Sequence, residues 1–255
     1  MIKAIGRRPR MRIPAIAGII DRRILVNYRI DPAAIASILP APFRPKLIHG
    51  QAMGGICLIR LKKVRPRLLP AVIGITSENA AHRFAVEWDE HGQMHEGVFV
   101  PRRDTDCLLN VFAGGRLFPG EHHHARFMVK ESESELSVAL ASRDGDTRVS
   151  IKGRVAEALP SDSIFASLDE ASQFFEAGSL GYSATVDGDR FDGLELRCKS
   201  WQVLPLQVEQ VSSSYFEETD RFPRGSVVFD HALLMRNIEH EWHSRDDLCC
   251  SVQVR

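Results

Sequence analysis

Three consecutive histidines, His122, His123 and His124, follow the turn-forming stretch Phe118-Pro119-Gly120-Glu121. Side chains on a strand alternate between faces, so His122 and His124 share one face. Two imidazoles at that spacing can hold one metal ion with Glu121 beside them. A zinc site needs at least a third protein ligand, however, and no second histidine pair stands at ligand spacing. The same residues can equally form a polar pocket wall or a solvated strand. Imidazole titrates near neutrality, so a histidine in a pocket also suits proton transfer.

The other chemistry-bearing residues point less clearly. His240 and His243 in "NIEHEWHSRDD" are three apart, whereas a zinc-protease helix needs histidines four apart, and the flanking residues read as a strand. His91 and His95 straddle a turn at Gly92. Lys62 and Lys63 are adjacent, and neighbouring lysines lower one another's affinity for a proton. A desolvated lysine can then form a Schiff base. Adjacent strand residues face opposite sides, which favours the plainer reading of a charged edge strand. The chain has no serine nucleophile elbow, no dinucleotide fingerprint and no phosphate loop.

The elements that must position these residues are mainly strands. "HRFAVEWDEHGQMHEGVFV" alternates Phe84, Val86 and Trp88 with Arg83, Ala85 and Glu87, then turns at Gly92. "ELSVALASRDGDTRVSIKGRVAEA" predicts a hairpin around Asp144-Gly145, and Asp187-Gly188 predicts another turn. "WQVLPLQVEQV" and "SVVFDHALLMRN" add strands. Two helices are expected. Asp31 caps "DPAAIASILP" with Pro32 at its first position. Ser167 and Glu170 form a capping box for "SLDEASQFFEAG", which buries Phe174 and Phe175 and stops at Gly178. The expected fold class is α+β, mainly antiparallel β, with a curved or closed barrel and few short helices. "EALPSDS" reads as a loop within one domain spanning residues 1–255.

Composition sets the boundaries. The 255 residues are 44% hydrophobic, and Lys plus Arg balance Asp plus Glu at zero net charge. Nothing in that balance favours nucleic acid, and the basic "RRPRMR" at the start reads as a solvated arm. Cys57, Cys107, Cys198, Cys249 and Cys250 form no regular framework, as expected for free thiols in a reducing compartment. The run "IPAIAGII" is too short to span a bilayer. A cytoplasmic protein with no membrane partner is expected.

"VNYRIDPAAIASILPAPFRP" resembles the opening of the acetoacetate decarboxylase-like superfamily. With "RPRLLPAVIGITSENAAHRFAVEW", "GVFV", "ARFMV", "SLDEASQFFEAGSLGYS" and "KSWQVLPLQVEQV", all in the same order, the chain is more closely similar to its DUF2071, or YqjF-like, branch. The resemblance implies a barrel with a pocket. In the decarboxylases a lysine pair makes the Schiff base, a glutamate positions substrate, and an arginine near the N-terminus binds its carboxylate. By position the glutamate falls on Glu78 and the arginine near Arg22 or Arg23. Gly120 and Glu121 stand where the lysines would be, which argues against the Schiff-base mechanism. The resemblance therefore implies Glu78, His122 and His124 as catalytic candidates, and Arg22, Arg83 and Glu121 as substrate-binding ones. Three readings stay open: an enzyme acting on a small oxo-acid or related carbonyl compound, a non-catalytic small-molecule binder, and a metal-dependent variant using His122 and His124. No cofactor is expected. A small-molecule ligand is, and self-association remains open.

Overall fold

Long, β-branched-rich runs joined by glycine-containing turns produce strands much longer than usual. The computed structural model of the chain describes residues 15–249, apart from 116–118, 186 and 189. The "RRPRMR" arm and Cys250 lie outside the described residues. In chain order the elements are β1 (Ala15–Ile30), α1 (Pro32–Ala36), β2 (Arg44–Pro45), β3 (Leu47–Ile48), β4 (Gln51–Pro66), β5 (Ile75–Glu90), β6 (Gln93–Thr105), α2 (Leu108–Ala113), β7 (His122–Glu131), β8 (Glu135–Ser142) and β9 (Arg148–Val155). They continue as α3 (Leu168–Ala177), β10 (Leu180–Ala184), β11 (Arg190–Cys198), β12 (Leu204–Ser213), α4 (Ser214–Glu217) and β13 (Val227–Cys249).

All the strands belong to one sheet, antiparallel except where β6 runs parallel to β7 and to β10. The pairing path β6-β7-β8-β9-β12-β13-β1-β4-β5 returns to β6 through the β5–β6 hairpin. A second path leaves β6 through β10 and β11 and rejoins at β13. The sheet thus forks at β6, which pairs with β10 near Phe99 and with β7 near Asp104, and at β13, which pairs first with β12 and then with β11. This is the α+β, largely antiparallel, strongly curved sheet that the sequence predicts.

The fork buries the central strands on both faces. On one face Ile24, Val26, Ile56, Leu58, Phe84, Val86 and Leu234 pack beneath Val138, Leu140, Val149 and Ile151 of β8 and β9. On the other, Leu25, Met53, Cys57, Ile59, Ala85, Leu233 and Met235 pack beneath Phe165 and the α3 residues Ala171 and Phe175. Clean alternation is therefore lost in β4, where residues 52 to 59 are all buried. Gly55 is required there, because a Cβ would lie 2.2 Å from the Val26 carbonyl oxygen on β1.

The local signals predicted from sequence are present. Asp31 accepts a hydrogen bond from the Ala33 amide at 2.8 Å, and Ser167 accepts one from the Glu170 amide at 3.1 Å. Glu170 accepts from the Ala166 amide rather than from Ser167, so the expected capping box closes one residue early. Gly145 and Gly188 take positive φ values of 85° and 67° in their Asp-Gly turns. Helix α2 and the single turn α4 carry no sequence signal of this strength: neither has a side-chain cap.

Two of the buried histidines, His82 and His240, are 0% and 3% exposed, and neither ring has a hydrogen-bond partner among the described residues. Burial, helped by the charges of Arg102 and Arg221, holds His82 down to about 3. Burial and the Arg23 charge hold His240 down to about 4. Both folded values lie below the unfolded one, so their neutral forms contribute stability above about pH 6.5 that is lost as pH falls toward 4. Each should account for about 2 kcal/mol between pH 6.5 and 5. Urea denaturation at the two pH values is expected to show that fall, with a smaller fall in His82→Phe.

Candidate functional site

A charged ladder crosses four strands on the first face. Register places Arg236 of β13, Arg22 of β1, Arg60 of β4 and Glu78 of β5 side by side. Arg22 donates to Glu78 at 2.5 Å and contacts Glu131 at 3.5 Å, while Arg60 donates to Glu78 at 2.6 Å and also pairs with Glu131. Arg236 reaches Glu131 at 3.5 Å, and Lys62 pairs with Asp21 at 2.6 Å. Glu131 ends β7, so the ladder ties the long strands to the far wall. Burial works to raise Glu131, but Arg22 and Arg60 outweigh it and hold its carboxyl below the usual range. Burial likewise opposes the charge on Arg60, and Glu78 and Glu131 reverse it, so Arg60 holds its proton more tightly than usual.

The residues Ser77 and Asn79, either side of Glu78, point to the opposite face and line a cavity of about 110 Å³. Its apolar walls are Ile59, Leu61, Ala81, Leu194 and Trp242, and its polar groups come from β5, β6, α2 and β7. Asn79 donates to the Ser77 hydroxyl at 2.9 Å and accepts from the Thr105 hydroxyl at 2.8 Å. Asn110 of α2 donates to Ser77, Asn79 and Thr105, each at 3.3 Å. These bonds fix the start of β5, the end of β6 and the first turns of α2 around one end of the cavity.

Arg103 supplies the charge. One of its terminal nitrogens donates to the Ser183 hydroxyl at 3.2 Å, and its Nε has no partner among the described residues. Burial pushes it down to about 10, so it remains a cation at neutral pH. No carboxylate pairs with it among the described residues. Gly120 arches above with φ at 72°, and a Cβ there would lie 2.7 Å from Ser183 and 3.4 Å from the Arg103 Nε. A glycine at this point lets the chain pass close over the guanidinium.

His122 stands next to Arg103 in the cavity wall. Its Nδ1 lies 3.2 Å from the Gly120 carbonyl oxygen. That oxygen only accepts, so Nδ1 carries the proton and Nε2 carries the lone pair. Burial, with the Arg103 charge, pushes His122 down to about 3.

The structure divides the residues picked out from sequence. Arg22 and Glu78 meet, but they lie across β5 from His122. Glu78 and the histidine run are therefore not placed as an acid–base pair. Glu121 is exposed and lines none of the cavities described. His123 leaves the cavity and pairs with Asp144 at 2.9 Å. His124 pairs in register with Thr105 and sits within the electrostatic reach of Asp106. Among the described residues no group of three His, Cys, Asp or Glu side chains is placed to hold a metal ion, so His122 and His124 lack the third ligand that the metal reading requires. Lys62 and Lys63 are exposed, and neither lines this cavity. Arg83 is buried, but its partner is Asn27, not Glu78 or Glu87. Glu87 instead pairs with Arg44 at 2.9 Å. Arg103, Asn79 and Asn110 carried no motif in the sequence. The only trace was the alternation along the β5–β6 hairpin.

Residues 20–231 match the model of DUF2071, described as an uncharacterized conserved protein. The chain belongs to the DUF2071 family. No curated protein sequence matches it. Among solved structures, this DUF2071 protein is similar to the acetoacetate decarboxylase of Legionella pneumophila subsp. pneumophila str. Philadelphia 1, at 14% identity and a TM-score of 0.55, over 91% of this chain and 87% of that one. An acetoacetate decarboxylase-like enzyme from Sphingomonas wittichii RW1 gives 14% identity and 0.55 over 92% and 93%. The enduracididine biosynthesis enzyme MppR, solved with pyruvate, gives 11% identity and 0.55 over 97% and 93%. At these identities the shared property is the acetoacetate decarboxylase-like fold.

The Arg22 guanidinium is 0% exposed, and Glu78 is its closest counter-charge. Glu78→Gln should therefore destabilise the protein by about 3 kcal/mol, the cost of stranding a buried charge. Equilibrium urea unfolding of the variant checks this, and a loss under 1 kcal/mol would show that Glu131 alone neutralises the ladder.

Proposed function

We propose that this protein binds a small oxo-acid or related carbonyl compound in the cavity formed by Arg103, His122, Asn79, Asn110 and Ser77. The observation that carries the reading is Arg103, a buried guanidinium with an unused Nε–H and no carboxylate partner among the described residues, in the wall of a cavity. Buried cations are normally paired, and a guanidinium matches a carboxylate bidentately. A cavity of about 150 Å³ holds a benzene-sized molecule, so 110 Å³ sets the scale at a few heavy atoms. The apolar walls suit a short carbon chain, and the Ser77 hydroxyl, which accepts from Asn79 and Asn110 and keeps its own proton to donate, suits a carbonyl oxygen. The likeness to MppR adds that one protein of this fold holds pyruvate.

Turnover is a second reading, carried by His122. A base held near 3 is weak at neutral pH, which favours binding without conversion. A bound carboxylate changes this. It neutralises Arg103, removes one cause of the depression, and brings Nε2 closer to a working range. His122 Nε2 then takes a proton from the carbon next to the carbonyl, the C–H electron pair forms the C=C bond of an enolate, and the negative oxygen accepts from the Ser77 hydroxyl.

Calorimetric titration with pyruvate and 2-oxobutyrate is expected to show binding that weakens at least tenfold in Arg103→Met and is partly kept in Arg103→Lys. His122→Gln should leave that affinity within about threefold. Proton NMR in D₂O tests turnover: exchange of the oxo-acid methyl or methylene protons, lost in His122→Gln, supports the catalytic reading. Binding without exchange leaves a binding protein. Equal titration of wild type and Arg103→Met would sink both.

A further inference from the structure

A second unpaired guanidinium lies elsewhere on the same face. Arg83 of β5 is 5% exposed. Its terminal nitrogen donates to the Asn27 Oδ1 at 2.5 Å, its guanidinium lies 4.9 Å from the Phe175 ring, and its Nε has no partner among the described residues. All of these neighbours are neutral. Asn27 cannot turn away, because its Nδ2 donates to the Leu25 carbonyl at 3.1 Å and meets the His231 Nε2 at 3.0 Å. His231 is held in turn by Asp230 at 2.6 Å. The Asp230 carboxylate that ends this hydrogen-bonded relay is spent on His231, Ser163, the Ile164 amide and Arg29, and it makes no direct contact with Arg83 among the described residues.

Arg23 of β1 faces Arg83 across a small cavity of about 30 Å³, with Lys46, Phe174 and Phe175 completing the wall. Among the described residues Arg23 has sulfur partners only, Cys57 at 3.2 Å and Met235 at 3.9 Å, and it lies 5.6 Å from the Trp201 ring. Lys46 pairs with Glu96 at the rim, at 2.6 Å. The carboxyl end of α3 also borders the cavity at Gly178, and it contributes only a partial negative charge. Two like charges thus line one small cavity, and the Glu96 carboxylate at its rim is taken by Lys46, an arrangement that is costly for the buried Arg83 unless a further negative charge is supplied.

We propose that Arg83 and Arg23 form an anion site, separate from the Arg103 cavity, that takes one compact monoanionic group: a free halide-sized ion or the carboxylate end of an organic acid. A volume of about 30 Å³, on the scale of a water molecule, favours a compact group. The site does not depend on the function proposed for Arg103.

Thermal unfolding of the full chain in sodium bromide and in sodium formate, each at the ionic strength of a sodium gluconate control, tests it. Measured in the Arg103→Met background, so that the Arg103 cavity does not contribute, a saturable rise in midpoint is expected, weakened at least tenfold in half-saturating concentration when Arg83→Met is added. Arg23→Met, at a half-buried position, gives the same reading if Arg83→Met does not fold. Anomalous diffraction from bromide-soaked crystals should place one ion between the two guanidiniums. A rise with formate alone identifies a carboxylate site, and a rise with both identifies a free-anion site. No saturable rise over gluconate, together with no anomalous peak, overturns the proposal.

Discussion

Burial of β1, β4, β5 and β13 on both faces is the constraint on which everything else in this fold rests. A strand covered on one side can turn its polar groups to water. These strands cannot, so every charge that enters them must find its counterpart inside the protein. That rule makes the charge pattern of the interior readable. Where Arg22, Arg60 and Arg236 meet Glu78 and Glu131, the account closes within the chain. Where Arg103 and Arg83 meet only hydroxyl, amide and aromatic groups, it does not.

The two faces consequently have different characters. The first is an apolar core with an ion network at one end, in which Glu131 of β7 pairs with arginines of the central strands. The second is thinner. It is roofed by α3, by the short strands β10 and β11, and by the loop that carries Gly120. Cys57, opposite Ala81 in register, lies beneath Arg23, whose Nε donates to its sulfur at 3.2 Å. The forks at β6 and β13 produce this asymmetry, because they let one continuous sheet cover its own long strands twice.

A shared fold does not fix chemistry, and at 14% identity or less the likeness to acetoacetate decarboxylases concerns the scaffold. What the scaffold leaves open is the set of buried polar groups without a partner among the described residues. His122 illustrates the coupling. Its tautomer is set by the Gly120 carbonyl and its proton affinity by burial and by Arg103, so any anion that neutralises Arg103 also acts on the imidazole beside it. Charge recognition and proton chemistry are then one electrostatic event rather than two.

The sequence by itself determined the elements whose causes are local. Asp31 and Ser167 announced their helices, the Asp-Gly pairs announced their turns, and the abundance of strands with few helices announced the fold class. The ordered fragments from "VNYRIDP" to "LQVEQV" also carried the family. Tertiary structure alone decided which residues meet. Arg22 and Glu131 are 109 positions apart, and Arg103 and Ser183 are 80 apart. The faces were also beyond reach: a strand's period of two separates Glu78 from Ser77 and Asn79 but does not say which side holds the cavity. Bulges shift the count, as between His82 and Phe84 where β5 meets β6. The histidine run could be found from residue types, but its division among a cavity, an ion pair with Asp144 and the edge of β6 depended on how β7 pairs in register. Pairing over such distances is set by the closure of the whole sheet, which no local stretch of sequence encodes.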